Sequence, residues 1–253
     1  MTTDMATAAA RAPGIDFETW RDGVSQAPGD PAWHYWDSEI LLAVDAYNRH
    51  LAATAGYRPL SWTLIKAMLW ADTGAGHGEW RTRPMQIGSR GDKSLTTFLS
   101  GKEGGELIIP PAWKLLLLSG AVRNRPEYTL RAGIGYLLMR MANFSLQSIA
   151  APDSKVFDVT VKTGDSIAKI ARQQSSTPDA LLALNPQISP ALLRPGQVLK
   201  CRKASLRRTI TGWRTINADA IARDVNRAGD PHYARKLRYA LEMIEKGRDA
   251  PRR

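Results

Sequence analysis

FDVTVKTGDSIAKIARQQSSTPDALLALNPQISPALLRPGQVLKC, residues 157–201, stands apart from the rest of this 253-residue chain. Its first five residues alternate apolar and polar, as a half-buried strand does. Gly164 permits a tight turn off that strand, and Asp165 or Ser166 can cap a helix carrying Ile167, Ile170 and Ala171 on one side. A second helix is expected from Thr177 to Leu184, ended by Asn185-Pro186. Pro195-Gly196 then turns the chain into a last short strand at 197–200. The order is β-α-α-β.

Four separated blocks carry a resemblance. They are VTVKTGDSIAKIA at 159–171, Thr177-Pro178-Asp179-Ala180-Leu181, Leu184-Asn185-Pro186, and Leu193-Arg194-Pro195-Gly196-Gln197-Val198-Leu199. In that order and spacing, residues 156–202 resemble a LysM domain, a small cell-wall module, over its whole length. The resemblance implies that N-acetylglucosamine-containing glycans lie between the Gly-Asp-Ser loop and the loop after the second helix. Gly164, Asp165, Ser166, Asn185, Pro186, Gln187 and Ile188 are then the contact candidates. Asp165 and Asn185 have a second reading, as a helix cap and a helix stop. One copy normally binds weakly, so the module targets rather than acts.

Working outward, helix signals dominate both flanks. Ser38 can cap a helix with Ile40, Val44, Tyr47 and Leu51 on one stripe, stopped near Gly56. Ser61 can cap another with Leu64, Ile65, Met68 and Leu69 inward and Gly74 beyond its end. Residues 110–119 and 126–141 read as a third and fourth helix. Gly133 and Gly135 lower helix propensity in the fourth, which points to close packing on a neighbouring backbone. Downstream, residues 210–213 read as extended, and helices are expected over 217–225 and 231–246. Residues 1–30, rich in Ala, Thr, Gly and Pro, are expected to pack loosely.

The flanks share a second resemblance. Ala71-Asp72-Thr73-Gly74 is followed by Pro84-Met85-Gln86-Ile87-Gly88, then by TLRAGIGYL at 129–137. Beyond the β-α-α-β module come Val225-Asn226-Arg227-Ala228-Gly229 and Tyr233-Ala234-Arg235-Lys236-Leu237. Five blocks in this order resemble a lysozyme-like transglycosylase of the soluble lytic type, with its acid at a helix end, its Met-Gln block and its Tyr-bearing terminal helix. The expected architecture is mainly α. A lysozyme-like helical domain, residues 31–153 and 205–253, is interrupted by a LysM domain at 155–203.

That resemblance implies cleavage of the bond between N-acetylmuramic acid and N-acetylglucosamine in peptidoglycan. One carboxylic acid must stay protonated to donate to the leaving oxygen. Desolvation and the negative C-terminal end of a helix both favour the protonated form, and Asp72 follows the apolar run LIKAMLW. Gln86, Tyr136 and Asn226 are expected to contact substrate, with Met85 beneath the site and Trp80, in a polar loop, as a sugar platform. Two residues depart from the family pattern: Asp72 stands where the family has Glu, and Val225 where it has Tyr. Glu79 is the second candidate acid, ranked below Asp72; its alternative reading is a loop carboxylate pairing with Arg81 or Arg83. The competing functions are a catalytically impaired wall-binding protein and an adaptor of a secretion apparatus.

Composition narrows the rest. The formal charge is +11, yet residues 1–60 hold four Arg against eight acids, so the basic character belongs to the later part. With the Arg residues scattered, a solvated surface is favoured over specific nucleic-acid binding. Cys201 is the only cysteine, which excludes an intramolecular disulfide and any multi-cysteine metal site. No metal or cofactor is expected. His77-Gly78-Glu79 lacks the Pro-Cys-x-x-Cys of zinc deaminases, and GKEGGE at 101–106 lacks phosphate-loop spacing. MTTDMATAAARAPGIDFETW has no basic start leading into an apolar run, and LLLL at 115–118 is far short of a membrane span. The expectation is cytoplasmic synthesis without a signal peptide and action at the wall after other delivery. Injection by a type VI-like machine, with an immunity protein as a further partner, is preferred to release as an endolysin.

Overall fold

The computed structural model describes residues 16–89, 92–118, 120–226 and 229–249. In chain order the helices are α1 (Phe17–Ser25), α2 (Asp37–Leu51), α3 (Trp62–Asp72), α4 (Ser94–Leu99), α5 (Gly105–Ile108), α6 (Lys114–Leu118), α7 (Pro126–Met141), α8 (Ile167–Gln173), α9 (Pro178–Leu184), α10 (Ala218–Asp224) and α11 (Tyr233–Asp249). The strands are β1 (Ala142–Ala150), β2 (Phe157–Thr160), β3 (Val198–Cys201) and β4 (Ala204–Trp213). The chain divides into two compact units, one formed up to Ala142 and from Trp213 onward, the other by residues 143–212.

The first unit is helical and is built around α3. Every residue from Leu64 to Trp70 is buried and all but Lys66 are apolar, so this helix is a core element. α11 lies along it and buries Tyr233, Leu237, Ala240, Met243 and Ile244, a stripe at helical spacing. α7 carries the two glycines that the sequence flags. A Cβ at Gly135 would collide with the Phe98 ring and the Tyr47 hydroxyl, and one at Gly133 would lie 2.7 Å from Met85 Sδ. Both are glycine because side chains from other elements press directly on the α7 backbone.

The second unit holds the β-α-α-β order expected from sequence. β2 and β3 pair antiparallel, Phe157 opposite Cys201 and Thr160 opposite Val198. Val161, Ile167, Ile170, Leu181, Leu199 and Cys201 form its core, with Phe157, Val159 and Ile188 packed at the edge.

Several expectations need correction. Ser38 sits inside α2, which begins at Asp37 without a side-chain cap. Ser61 does occupy the position before α3, but its hydroxyl pairs with Thr63 Oγ1 at 2.6 Å instead of a backbone N–H. Within the segment expected to pack loosely, described residues 16–30 are packed: the Asp16 carboxylate caps α1 by accepting from Thr19 N, and Phe17, Val24 and Ala27 are buried. Residues 1–15 of that segment, like Ser119 of the third predicted helix, lie outside the described residues. Residues 143–153 and 205–212, assigned from sequence to the helical part, fall in the second unit because β1 and β4 pair as a two-stranded ribbon. That ribbon leaves Leu146, Ile149 and Leu206 exposed, so it carries no alternation of buried apolar residues for a sequence reading to detect.

Candidate functional site

The C-terminal end of α3 organises the first group of candidate residues. The N–H groups of Thr73 and Gly74 both donate to Leu69 O at 3.0 Å, closing the last turn. Gly74 has φ +68°, and a Cβ there would meet the Trp33 ring at 2.8 Å. The Thr73 hydroxyl donates to Pro84 O at 2.9 Å, which ties residues 84–88 to the helix end. Met85, 1 % exposed, drops from that segment onto Gly133 of α7. Gln86 takes φ +51°, a left-handed conformation that costs a non-glycine residue on the order of 1 kcal/mol and is held here by its N–H bond to Arg83 O.

Asp72 is half-buried at this junction, and the Tyr233 hydroxyl donates to its Oδ1 at 2.7 Å. Tyr233 is 4 % exposed and is the first residue of α11. Four of the five sequence blocks thus meet: the α3 end, the Pro84–Gly88 segment, α7 at Gly133 and the start of α11. Tyr136 lies half-buried on α7, one turn past Gly133. Sequence reading quotes Tyr233 within the terminal block but gives it no role. Its 161-residue separation from Asp72 leaves no local signal for the contact.

The other candidates in this unit stand differently. Glu79 faces Arg83, with Oε1 3.0 Å from Nε, and accepts from the Ser89 hydroxyl at 3.3 Å. This is the loop-carboxylate arrangement that sequence offered as its alternative. Trp80 is not a sugar platform. It is 2 % exposed, its indole N–H donates to Ala32 O at 3.2 Å, and its own carbonyl accepts from the Trp36 indole at 2.8 Å. The exposed aromatic of this region is Tyr35, with the Arg81 guanidinium 3.9 Å above its ring. Asn226 turns both ends of its amide inward, donating to Asp230 O at 2.7 Å and accepting from Asp230 N at 3.2 Å. It staples its own loop, and Arg227 and Ala228 of the same block lie outside the described residues.

In the second unit the seven predicted glycan contacts separate into two kinds. Asn185 is 2 % exposed; its amide donates to Leu181 O and Lys200 O and accepts from Lys200 N, all within 2.7–2.8 Å. It is a structural staple between α9 and β3. Asp165 accepts from Lys162 N at 2.8 Å and pairs with Lys169 at 3.1 Å. The backbone N–H of Lys162, then the Lys169 ammonium, hold its carboxyl below the usual carboxylate range. Ser166, not Asp165, caps α8, accepting from Lys169 N. Gly164, Ser166, Pro186 and Gln187 stay exposed, while Ile188 is half-buried against the core.

Among the described residues no group of three or more His, Cys, Asp or Glu could hold a metal ion. No described helix is long and apolar enough to cross a membrane. The sequence profile of the LysM domain matches residues 159–201, the span of the β-α-α-β module. A LysM domain indicates binding of peptidoglycan or a related glycan. Neither the curated proteins nor the solved structures contain a match to this chain.

Proposed function

We propose that this chain is a peptidoglycan-acting enzyme, a muramidase or lytic transglycosylase, whose LysM domain holds the glycan and whose helical unit cleaves it. The observation that carries the reading is the Tyr233–Asp72 hydrogen bond of 2.7 Å at the point where α3, residues 84–88, α7 and α11 converge. It joins an acid at a helix end to the tyrosine of the terminal helix, two blocks the soluble lytic resemblance sets at opposite ends of the sequence.

In this reading Asp72, protonated, passes its proton to the glycosidic oxygen as the bond to the muramic acid breaks. Tyr233 positions the carboxyl, and Met85, seated on Gly133, sets the floor beneath. The pairing of Glu79 with Arg83 favours Asp72 over Glu79 as the acid. With a single acid, the Asp72 carboxylate left by that transfer takes the proton of the substrate's own hydroxyl as its oxygen closes on the anomeric carbon, and the product is an anhydro sugar. Asp72 is one methylene shorter than Glu, and about an ångström of lost reach lowers rates roughly a hundredfold where geometry is critical. Slow turnover is therefore expected. We place this action at the cell wall.

A second reading, a wall-binding protein without cleavage, draws on Asn226 being committed to its own loop and on Val225 being buried. One experiment separates the two: incubation with peptidoglycan sacculi and mass spectrometry of released fragments. Anhydro-muropeptides that disappear in Asp72→Asn support the enzyme. Sacculus binding with no fragments from the unaltered chain supports the binding protein.

A further inference from the structure

The ribbon of β1 and β4 contributes nothing to the core of the β-α-α-β module and holds none of its glycan-contact candidates. It is a two-stranded sheet, and among the described residues no third strand pairs with either member. At its start β4 is anchored where Ala204 N donates to Ser175 O at 3.0 Å. Beyond that point no backbone hydrogen bond links residues 205–213 to a described element other than β1. In an antiparallel pair, alternate residues direct both N–H and C=O away from the partner strand. The outer side of this stretch therefore presents a row of backbone donors and acceptors about 30 Å long, at roughly 3.3 Å per residue. An open edge of that length is a template for an incoming strand. Leu206, 56 % exposed on β4, adds an apolar contact for it.

The charge along the ribbon decides which strand. Residues 142–150 carry no charged side chain, whereas residues 201–213 carry Arg202, Lys203, Arg207 and Arg208 and no acid. Arg207 is exposed, and its guanidinium reaches only as far as the Ser205 hydroxyl of its own strand, at 3.3 Å. A second copy of this edge would set these cations against one another, and like charges facing across a pair of strands are destabilising. An acidic polysaccharide would meet the charge but has no polypeptide backbone to pair with the edge. An extended peptide rich in Asp and Glu meets both, its backbone completing the ladder and its carboxylates facing Arg207 and Lys203.

We propose that the outer edge of β4 is an interaction surface for an acidic, extended segment of a partner protein, which adds to the ribbon as a third strand. The inference rests neither on Asp72 cleaving glycan nor on the module binding it.

The test uses the full chain and a fluorescein-labelled nine-residue peptide that alternates Glu and Val, read by anisotropy and by hydrogen exchange with mass spectrometry. Saturable micromolar binding is expected, with slowed exchange at residues 205–213, and a Lys–Val peptide of the same length should not bind. Arg207→Glu combined with Arg208→Glu should weaken the Glu–Val peptide about tenfold. Two further peptides, N-methylated at every Val or at every Glu, keep the charge and remove alternate N–H donors. One of them should lose at least tenfold and the other should bind as before, because only alternate groups of a strand face its neighbour. Equal binding of the two methylated peptides would reduce the contact to charge alone and overturn the proposal. So would absence of saturable binding, exchange slowed elsewhere but not at residues 205–213, or polygalacturonate slowing those amides as much as the peptide does. A dimer of the chain alone in sedimentation, with residues 205–213 protected, would assign the edge to a second copy and overturn it as well.

Discussion

Asn185 in the LysM domain and Lys66 in the helical unit are both polar, both buried, and differently completed. Asn185 makes three hydrogen bonds to backbone groups of α9 and β3. Lys66 finds Asp37 and His34, but Asp37 Oδ1 lacks a donor. A buried polar group whose bonds are all made stabilises a fold; one left short costs the free energy of its lost hydration. The comparison therefore distinguishes a predicted binding residue that is structural and fully bonded, Asn185, from an unpredicted charged cluster whose hydrogen bonding is incomplete.

The largest effect is expected from Asn185→Ala. It strands two carbonyls and one N–H, which by the cost of unmade buried bonds amounts to about 4 kcal/mol. Hydrogen exchange should accelerate across residues 157–201 while the α3 amides stay protected. Equal acceleration in both units would break the contrast, since Asn185 would then not be local in its action.

Lys66→Met comes next. Removing one partner of a desolvated pair is expected to cost about 2 kcal/mol, below the value for fully buried pairs because Asp37 is partly exposed. Adding Asp37→Leu should recover most of it in a urea titration. Failure of the double variant to recover would mean the cluster is structural, as Asn185 is.

Tyr233→Phe removes one hydrogen bond and should lower stability by about 1 kcal/mol in the same titration, with α11 still docked. If Asp72 is the acid, release of anhydro-muropeptides should fall far more than stability does.

The smallest effect is a pH dependence. The Asp165 carboxyl is depressed in the folded chain, so its contribution is present above the unfolded value near 4 and is lost as pH falls through the lower, folded value. Thermal melts of Asp165→Asn should show a flatter acid limb than the unaltered chain. An unchanged limb would assign the acid sensitivity to another group.

What the sequence determined by itself is whatever rests on neighbours in the chain. The β-α-α-β module was legible because its turns, caps and apolar spacing are local: Gly164 has the positive φ its turn needs, and Ser166 and Thr177 cap their helices. The core helix α3, the close-packed Gly133 and Gly135, and Asp72 as a helix-end acid were legible for the same reason. Of the β1–β4 ribbon only residues 210–213 were legible as extended, because its apolar residues stay exposed, and α1 was hidden in a stretch whose composition suggests a loop. Only tertiary structure decided which candidates meet. It brought Tyr233 to Asp72 across 161 residues, turned Asn226 and Glu79 to local partners, and buried Trp80. It also set Lys66 beside His34 and Asp37, from segments 32 and 29 residues apart. Spacing fixes which side of a helix a residue occupies, whereas burial and partner choice depend on which other element covers that side.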